Sequence, residues 1–434
     1  MPMLQLILGI SLIFGSYAQA KITSDMQEYF GAKNQEAEFT FETQIFIPVS
    51  KGTPTNELIK SEFKSYAQYM LGQMRRNSES PAAVYPKYTV RVNKFEKASD
   101  KFYRVYVQFT GKGVFAPHQK DYTFLVPFYT NDFFNKSKGQ CMESTNVDSG
   151  NFWYHWEPKK EGCPLIADQD FSVITTSLNY IPNTTSTYPE YEKLVRNNEL
   201  RMTVFFGLEN YDETDWSPET NTKDWGGIGY RQQKTMLLDM GFQSYVWSEE
   251  EVRKWYNPSA GKPIPYLETF TQETPRGTMT VRLFLGDTGL EHDSKAFHIF
   301  LKDAIWNDSS VVYNGHSGIG KNLDIPQIAS YRGFKLPISN DYQVFFLGSC
   351  VPYSYYTELF FHKKSSSTDP TGTKGLDIIA YGNESVFGNT DDVRLTAALL
   401  KYMSTGKKTS YQDIVGPDAD YFLGVSGDED NPTN

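Results

Sequence analysis

The apolar and polar residues follow two different patterns in the two halves of the chain. Strict alternation is typical of a half-buried strand, whereas apolar residues three and four positions apart indicate a helix. Before residue 130 the alternating segments predict strands at 39–47, 88–92, 103–109 and 121–128. A helical pattern intervenes from Asn56 to Met74. We therefore expect residues 21–135 to form a β-rich α+β accessory domain.

Beyond residue 198, short apolar strands alternate with helical patterns. The predicted strands cover 200–206, 242–247, 279–285, 311–314, 344–348 and 376–381, and the predicted helices 231–240, 293–305 and 391–403. This alternation favours an α/β fold with a mostly parallel sheet flanked by helices on both faces. We assign that domain to residues 198–410.

Two segments lack clear periodicity. Residues 136–197 are rich in Asn, Ser, Thr and Pro, which predicts a loop-rich connector. Residues 411–434 include the acidic run Gly427-Asp-Glu-Asp-Asn431, and we expect an acidic, flexible tail.

The N-terminus resembles a secretory signal peptide over residues 1–20. An apolar stretch from Leu4 to Phe14 precedes Ala18-Gln19-Ala20, a small-residue cleavage site. The stretch is preceded by no Lys or Arg, so a retained anchor stays an alternative. No other segment reaches 18 apolar residues, so we predict no membrane span after signal removal. We expect a secreted, periplasmic or cell-surface protein.

Charge and cysteine content refine this picture. The formal net charge of −10 argues against a nucleic-acid partner. An exported chain with three cysteines has one left over. Cys141 and Cys163 flank a short aromatic segment and could form a disulfide, which would leave Cys350 as the free thiol.

Two similar segments carry the candidate chemistry. Val-Val-Tyr-Asn-Gly precedes His316, and Val-Phe-Phe-Leu-Gly-Ser precedes Cys350. Each apolar run predicts a buried strand that ends at Gly, and ligand sites lie at the carboxyl ends of such strands. A thiol and an imidazole there can perform nucleophilic catalysis. The backbone amides of Ser317, Gly318 and Cys350 are candidate donors to an oxyanion.

This combination resembles the caspase–gingipain clan of cysteine peptidases, in which a strand ending in Gly-His precedes a strand ending in a small residue and Cys. The resemblance covers roughly residues 198–405 and is strongest at 311–318 and 344–350. It implies that His316 is the catalytic histidine, that Cys350 is the nucleophile, and that both lie at the ends of neighbouring parallel strands. The substrate would be a peptide or protein.

The chain departs from the clan's pattern in three ways. Ser317 follows the histidine where the clan usually has Gly, although an amide is still present. Gly348-Ser349 stands before the cysteine instead of the caspase Gln-Ala. The His–Cys spacing is also shorter than the caspase value of about 50. The chain is therefore not identified as a caspase, and cleavage after Asp is not implied. The exported, gingipain-like branch fits better, because the chain carries a signal peptide and an extra β-rich domain.

A substrate pocket is expected beside the nucleophile. We assign it to Tyr353, Tyr355 and Tyr356, which follow Cys350, and to Glu384, which follows the strand 376–381. Because a carboxylate pairs with a cation, Glu384 or a nearby Asp would favour a basic residue before the scissile bond.

Several alternatives remain open. The chain could be an inactive caspase-fold binding protein, or it could transfer an acyl group instead of hydrolysing it. Gly315-His-Ser-Gly-Ile319 is similar to the esterase elbow, which would make Ser317 the nucleophile with His362 as its later histidine. Asp287-Thr-Gly289 matches the aspartic-peptidase triplet, but in a single copy, and a strand-ending turn is the simpler interpretation.

No cofactor is predicted. The six histidines are scattered, no C-x-x-C motif is present, and no phosphate-binding loop occurs. Some members of the clan bind calcium, so Ca²⁺ is conceivable, but no segment here has EF-hand spacing. The oligomeric state is not set by the sequence.

Overall fold

The computed structural model of the protein describes residues 30–428, apart from 77–81, 118, 138, 143–152, 211–215, 257–262, 386–390 and 417–421. The predicted signal peptide, residues 1–20, lies outside the described residues. The strands are β1 Phe30–Gly31, β2 Gln35–Pro48, β3 Ala82–Lys97, β4 Phe102–Phe115, β5 Asp121–Pro127, β6 Phe171–Ser177, β7 Asn179–Tyr180, β8 Glu199–Gly207, β9 Gln243–Val246, β10 Tyr266–Thr274, β11 Gly277–Gly286, β12 Ser310–Asn314, β13 Gln343–Gly348, β14 Leu376–Tyr381 and β15 Leu423–Ser426. The α-helices are α1 Asn56–Arg76, α2 Thr130–Ser137, α3 Tyr191–Leu194, α4 Trp225–Asp239, α5 Glu249–Trp255, α6 Ala296–Asn307, α7 Ile325–Arg332, α8 Pro352–Lys364, α9 Asp392–Thr405 and α10 Tyr411–Val415.

The first of two compact units spans Glu36–Ile181 and is the expected β-rich region. Its strands pair in the order β3-β4-β2-β7, and β5 pairs with β6. The core is aromatic: the Phe63 ring of α1 stacks on Phe109 with centroids 5.4 Å apart, and Phe39 stacks on Phe124 at 4.7 Å. A disulfide joins Cys141 to Cys163, the pairing suggested by the cysteine count.

The second unit contains residues 182–428 and the short β1, and it is built on a mixed sheet. The strand order is β1-β15-β14-β13-β12-β8-β11-β10-β9. The five central strands, from β14 to β11, are parallel. The strands at both edges are antiparallel. The α/β class is therefore confirmed, with a mixed rather than uniformly parallel sheet.

Helices cover both faces of the parallel strands, which explains why those strands are apolar without alternation. On one face, Val204 and Val312 share a core cluster with Tyr230 of α4 and Leu399 of α9. On the other face, Phe205 contacts Phe297 of α6 with ring centroids 5.2 Å apart. Phe345 contacts Phe360 of α8 at 5.3 Å. The carboxyl ends of the central strands consequently line one edge, from which the connecting loops emerge.

Two predicted boundaries differ from the structure. The predicted connector 136–197 is not a separate region, because β6 pairs with β5 and the units divide between Ile181 and Pro182. The predicted flexible tail 411–434 contains α10 and β15, and β15 pairs with β14. Its apolar residues, including Tyr411, Val415 and Val425, are fully buried. The prediction was wrong because the acidic run 427–431 follows β15 and does not describe the apolar residues before it.

Among the described residues, no helix combines the length and the apolar character that crossing a bilayer requires.

Removing the disulfide is expected to destabilise the first unit. The bond joins residues 22 positions apart, and closing a loop of this size stabilises a fold by about 3 kcal/mol. A Cys141→Ser/Cys163→Ser variant should therefore unfold at lower denaturant concentration than the oxidised protein. Adding a reductant should bring the wild type to the variant's midpoint. Equal midpoints for the oxidised wild type and the variant would contradict a stabilising bond.

Candidate active site

The register of β12 and β13 brings His316 and Cys350 to equivalent positions. The two strands are parallel neighbours, and Asn314 pairs with Gly348. The pairing continues one step further, because the Gly315 N–H donates to the Gly348 carbonyl at 3.1 Å. His316 and Cys350 each lie two residues beyond the paired positions. The imidazole and the thiol therefore emerge from adjacent strands at the same edge of the sheet.

Gly348 allows these strand ends to approach. A Cβ added at Gly348 would lie 2.1 Å from Oδ1 of Asn314, which is far closer than two such atoms can come. The Asn314 side chain thus occupies the space over Gly348. Any larger residue there would have to displace the Asn314 side chain, and its Cβ would also lie only 3.1 Å from the Tyr313 carbonyl oxygen.

The loop that follows β8 orients the His316 ring. The ring donates a hydrogen bond to the backbone carbonyl of Glu209. That loop is fixed by the buried Asp224, whose Oδ2 accepts from the N–H groups of Glu209 and Asn210 at 2.9 and 3.1 Å. Asp224 Oδ1 also caps α4 by accepting from the Gly227 N–H. A backbone carbonyl therefore takes the orienting role that a carboxylate often plays for a catalytic histidine.

His316 is exposed on one side, yet the loops around it remove enough water to lower its pKa. The hydrogen bond to Glu209 and the negative charges of Glu209 and Asp224 oppose this by raising the pKa, and the nearby His292 lowers it. The burial effect is the largest, so His316 favours the neutral form that can accept a proton. A group of this kind suits a general base near neutral pH.

Three buried side chains fix the backbone just after His316. The Tyr313 hydroxyl donates to the His316 carbonyl at 2.6 Å, and the Asn322 amide donates to the same oxygen at 2.7 Å. The Tyr356 hydroxyl of α8 donates to the Ser317 carbonyl at 2.8 Å. Burial raises the pKa of both tyrosines, so both hydroxyls remain protonated donors throughout the physiological range.

These contacts orient the predicted oxyanion donors. In a trans peptide the N–H points away from the C=O of the same plane. Because the carbonyls of His316 and Ser317 are fixed toward buried groups, the N–H groups of Ser317 and Gly318 point in the opposite direction. Within the described residues neither N–H donates to another protein atom. Both are therefore available to a developing negative charge.

The backbone after Cys350 is strained. Val351 adopts φ 56° and ψ 38°, a left-handed conformation that costs a β-branched residue about 1–3 kcal/mol. Its N–H donates to the Asn383 carbonyl at 3.1 Å, which ties the loop after β14 to the segment that carries Cys350. The chain then enters the 13-residue α8. The partly buried Cys350 thus precedes a helix N-terminus, where a negative charge on sulfur is favoured.

The structure corrects the assignment of the pocket tyrosines. Tyr353, Tyr355 and Tyr356 are buried within α8, with at most 8% of each residue exposed. All residues of α8 from Pro352 to Thr357 are buried, so the three rings pack in the core and do not line an open pocket. Tyr356 instead supports the loop after His316. Glu384 is partly exposed in the loop after β14, next to Asn383, whose carbonyl accepts from the Val351 N–H.

The geometry disfavours the esterase alternative. Ser317 is only 4% exposed. His362 lies in the last turn of α8, at the opposite end from Cys350. Ten residues of helix separate it from the first turn by about 15 Å.

Sequence reasoning missed the residues that support His316 and the loop after it: Glu209, Asp224, Tyr313 and Asn322. Asp224 had a detectable signal, since Asp before Trp225-Gly-Gly is a helix N-cap pattern. The others act through backbone carbonyls or through loops that only the fold brings together. Within the described residues, no cluster of three or more His, Cys, Asp or Glu could bind a metal ion.

No protein-family model, curated protein or solved structure matches this chain. The functional interpretation of the site therefore rests on the geometry of its own residues.

Substituting Gly348 tests whether the packed strand ends position His316 and Cys350. Gly348→Ala should lower Cys350 reactivity and stability, because its Cβ would overlap Asn314 Oδ1. Gly375→Ala is the matched control, since the nearest atom to its Cβ is 3.7 Å away. Thiol alkylation rates and thermal midpoints report both effects. Equal losses in the two variants would mean that the close approach at Gly348 has no special role.

Proposed function

We propose that the second unit is a cysteine peptidase that hydrolyses peptide bonds through a Cys350–His316 dyad and a thioester intermediate. Cys350 attacks the carbonyl carbon while His316 accepts the thiol proton. The N–H groups of Ser317 and Gly318, with that of Cys350, stabilise the oxyanion. His316 then returns the proton to the leaving amine, and water hydrolyses the thioester.

The observation that carries this proposal is the paired register of β12 and β13. It brings a thiol and an imidazole from adjacent strands to one edge, with a pre-oriented peptide segment beside them. The order of His before Cys at such strand ends is similar to that of the caspase–gingipain clan. We propose the gingipain-like branch and export to the periplasm or cell surface. The Cys141–Cys163 disulfide supports an oxidising compartment.

The competing function is an inactive binding protein of the same fold. The strained Val351 favours the enzyme, because strained backbone clusters at active sites.

A peptide-library digestion tests the activity. The wild-type protein and Cys350→Ala are incubated with a mixed peptide library, and mass spectrometry identifies the cleavage sites. We expect cleavage by the wild type and none by the variant, because the thiol is the nucleophile. A wild type that neither cleaves peptides nor reacts with a peptidyl acyloxymethyl ketone would support the binding protein.

We further propose that Asp392 selects a cationic side chain before the scissile bond. Asp392 is 2% exposed, and burial raises its pKa to about 7. The Asn314 amide lies beside it and stabilises its charged form, yet Asp392 Oδ2 has no hydrogen-bond partner among the described residues. A buried carboxyl of this kind becomes fully ionised when a cation pairs with it.

The preference for Lys or Arg should therefore rise with pH through about 7, as Asp392 ionises. Asp392→Asn should reduce that preference at least about tenfold, the loss expected for a charge-assisted hydrogen bond. Glu384→Gln is the control, because solvent screens a partly exposed carboxylate. Values of kcat/KM for matched Arg and norleucine substrates provide the measurement. A larger loss of this preference in Glu384→Gln would mean that Glu384, and not Asp392, selects the cationic side chain.

A further inference from the structure

A second histidine shares this edge of the sheet and has no role in the mechanism above. His292 lies in the loop after β11, and its Nδ1 is 2.7 Å from Oδ1 of the buried Asp287. Asp287 Oδ1 also accepts from the Gly289 N–H at 2.9 Å. The Asp-Thr-Gly triplet that resembles an aspartic peptidase is therefore the turn that orients His292.

Packing fixes the His292 ring. A Cβ added at Gly289 would lie 2.2 Å from the ring Nδ1, so the ring rests directly on the glycine backbone. Arg332 of α7 donates to the carbonyls of Gly289 and His292, each at 2.9 Å. The His292 side chain nevertheless keeps 30% of its surface exposed. A buried carboxylate thus aims a partly exposed imidazole from a rigid loop.

Asn322 joins this loop to the one that carries His316. Its Oδ1 accepts from the Leu290 N–H at 3.0 Å, while its Nδ2 donates to the His316 carbonyl. The Tyr313 hydroxyl makes a second link, because it is 3.0 Å from Thr288 Oγ1 as well as bonded to the His316 carbonyl. These hydrogen bonds fix the two loops, and hence the two imidazoles, relative to each other. The charge of His292 acts on His316 by lowering its pKa.

We propose that His292 is a positioning residue of the site: its imidazolium, fixed by Asp287, repels a proton from His316 and keeps the His316 ring able to accept the proton of Cys350. The role in catalysis rests on the proposed peptidase activity. The electrostatic effect of His292 on His316 is independent of that activity.

The surrounding charges show why such a residue is useful. Glu209 and Asp224 both favour protonated His316, whereas His292 disfavours it. On the His292 loop, Glu291 is paired with Lys321 at 2.8 Å. Arg332 interacts with Asp287 and Asp293. His292 is therefore the group whose charge most directly offsets the two carboxylates near His316.

The test is a pH titration of the full chain with ¹³C-labelled histidine, followed by NMR. Signals are assigned from His316→Gln and His292→Gln. In His292→Gln the positive charge is gone, so protonated His316 is less disfavoured and its pKa rises. We expect His316 to titrate roughly half a unit to one unit higher, the effect of one partly screened charge.

Glu291→Gln is the matched control, because it removes a charge of the opposite sign from the same loop. Its carboxylate is 65% exposed, so the His316 titration should stay in place or move slightly lower. Circular dichroism verifies that each variant is folded. In the unmodified protein, His316 should also titrate in two coupled steps. An unchanged His316 curve in folded His292→Gln, with a single step in the wild type, would overturn the proposal.

Activity measurements separate this proposal from the previous one. If the protein cleaves peptides, the acid limb of kcat/KM should move to higher pH in His292→Gln by the same amount as the His316 titration. If it cleaves none while the NMR shift is observed, the peptidase proposal fails and the electrostatic role of His292 stands.

Discussion

The parallel pairing of β12 with β13 is the constraint on which the candidate site depends. Because Asn314 pairs with Gly348, two equal steps along neighbouring strands lead to His316 and to Cys350. A shift of one residue would turn one of the two side chains to the opposite face. The buried aromatic and β-branched residues of both strands fix this register, since each face is covered by helices. The reactive groups are thus positioned by the core.

The loops around these strand ends then fix the orientation of the individual groups. Buried hydroxyl and amide groups bind the carbonyls after His316, and a backbone carbonyl beyond β8 orients the imidazole. Both supporting phenols stay protonated because burial raises their pKa values. These contacts involve β12, α8 and the loop between β8 and α4, so the site depends on several separate elements of the second unit. Strain at Val351 is tolerated because the buried helix and the loop after β14 fix that residue.

Sequence patterns predicted the central elements and the placement of His316 and Cys350 just beyond two neighbouring parallel strands, since buried parallel strands leave a strong local signal. The strands that end before His316 and Cys350 were identified within a residue or two, as was α1. The supporting residues were not predicted, because Glu209 and Asn322 act through contacts between loops distant in sequence. The tyrosines after Cys350 were misassigned, because the sequence alone did not indicate that α8 covers the sheet. The C-terminal strand β15 was hidden by the acidic residues that follow it.

The most direct test of the account is the reactivity of Cys350 with and without its partner. Iodoacetamide alkylation can be followed by mass spectrometry at Cys350, the cysteine outside the Cys141–Cys163 disulfide. The account predicts that at pH 6.5 the wild type reacts at least about tenfold faster than His316→Gln, because the imidazole assists formation of the reactive thiolate. His362→Gln, at the far end of α8, should react like the wild type. Equal rates in the wild type and His316→Gln would contradict a functional dyad.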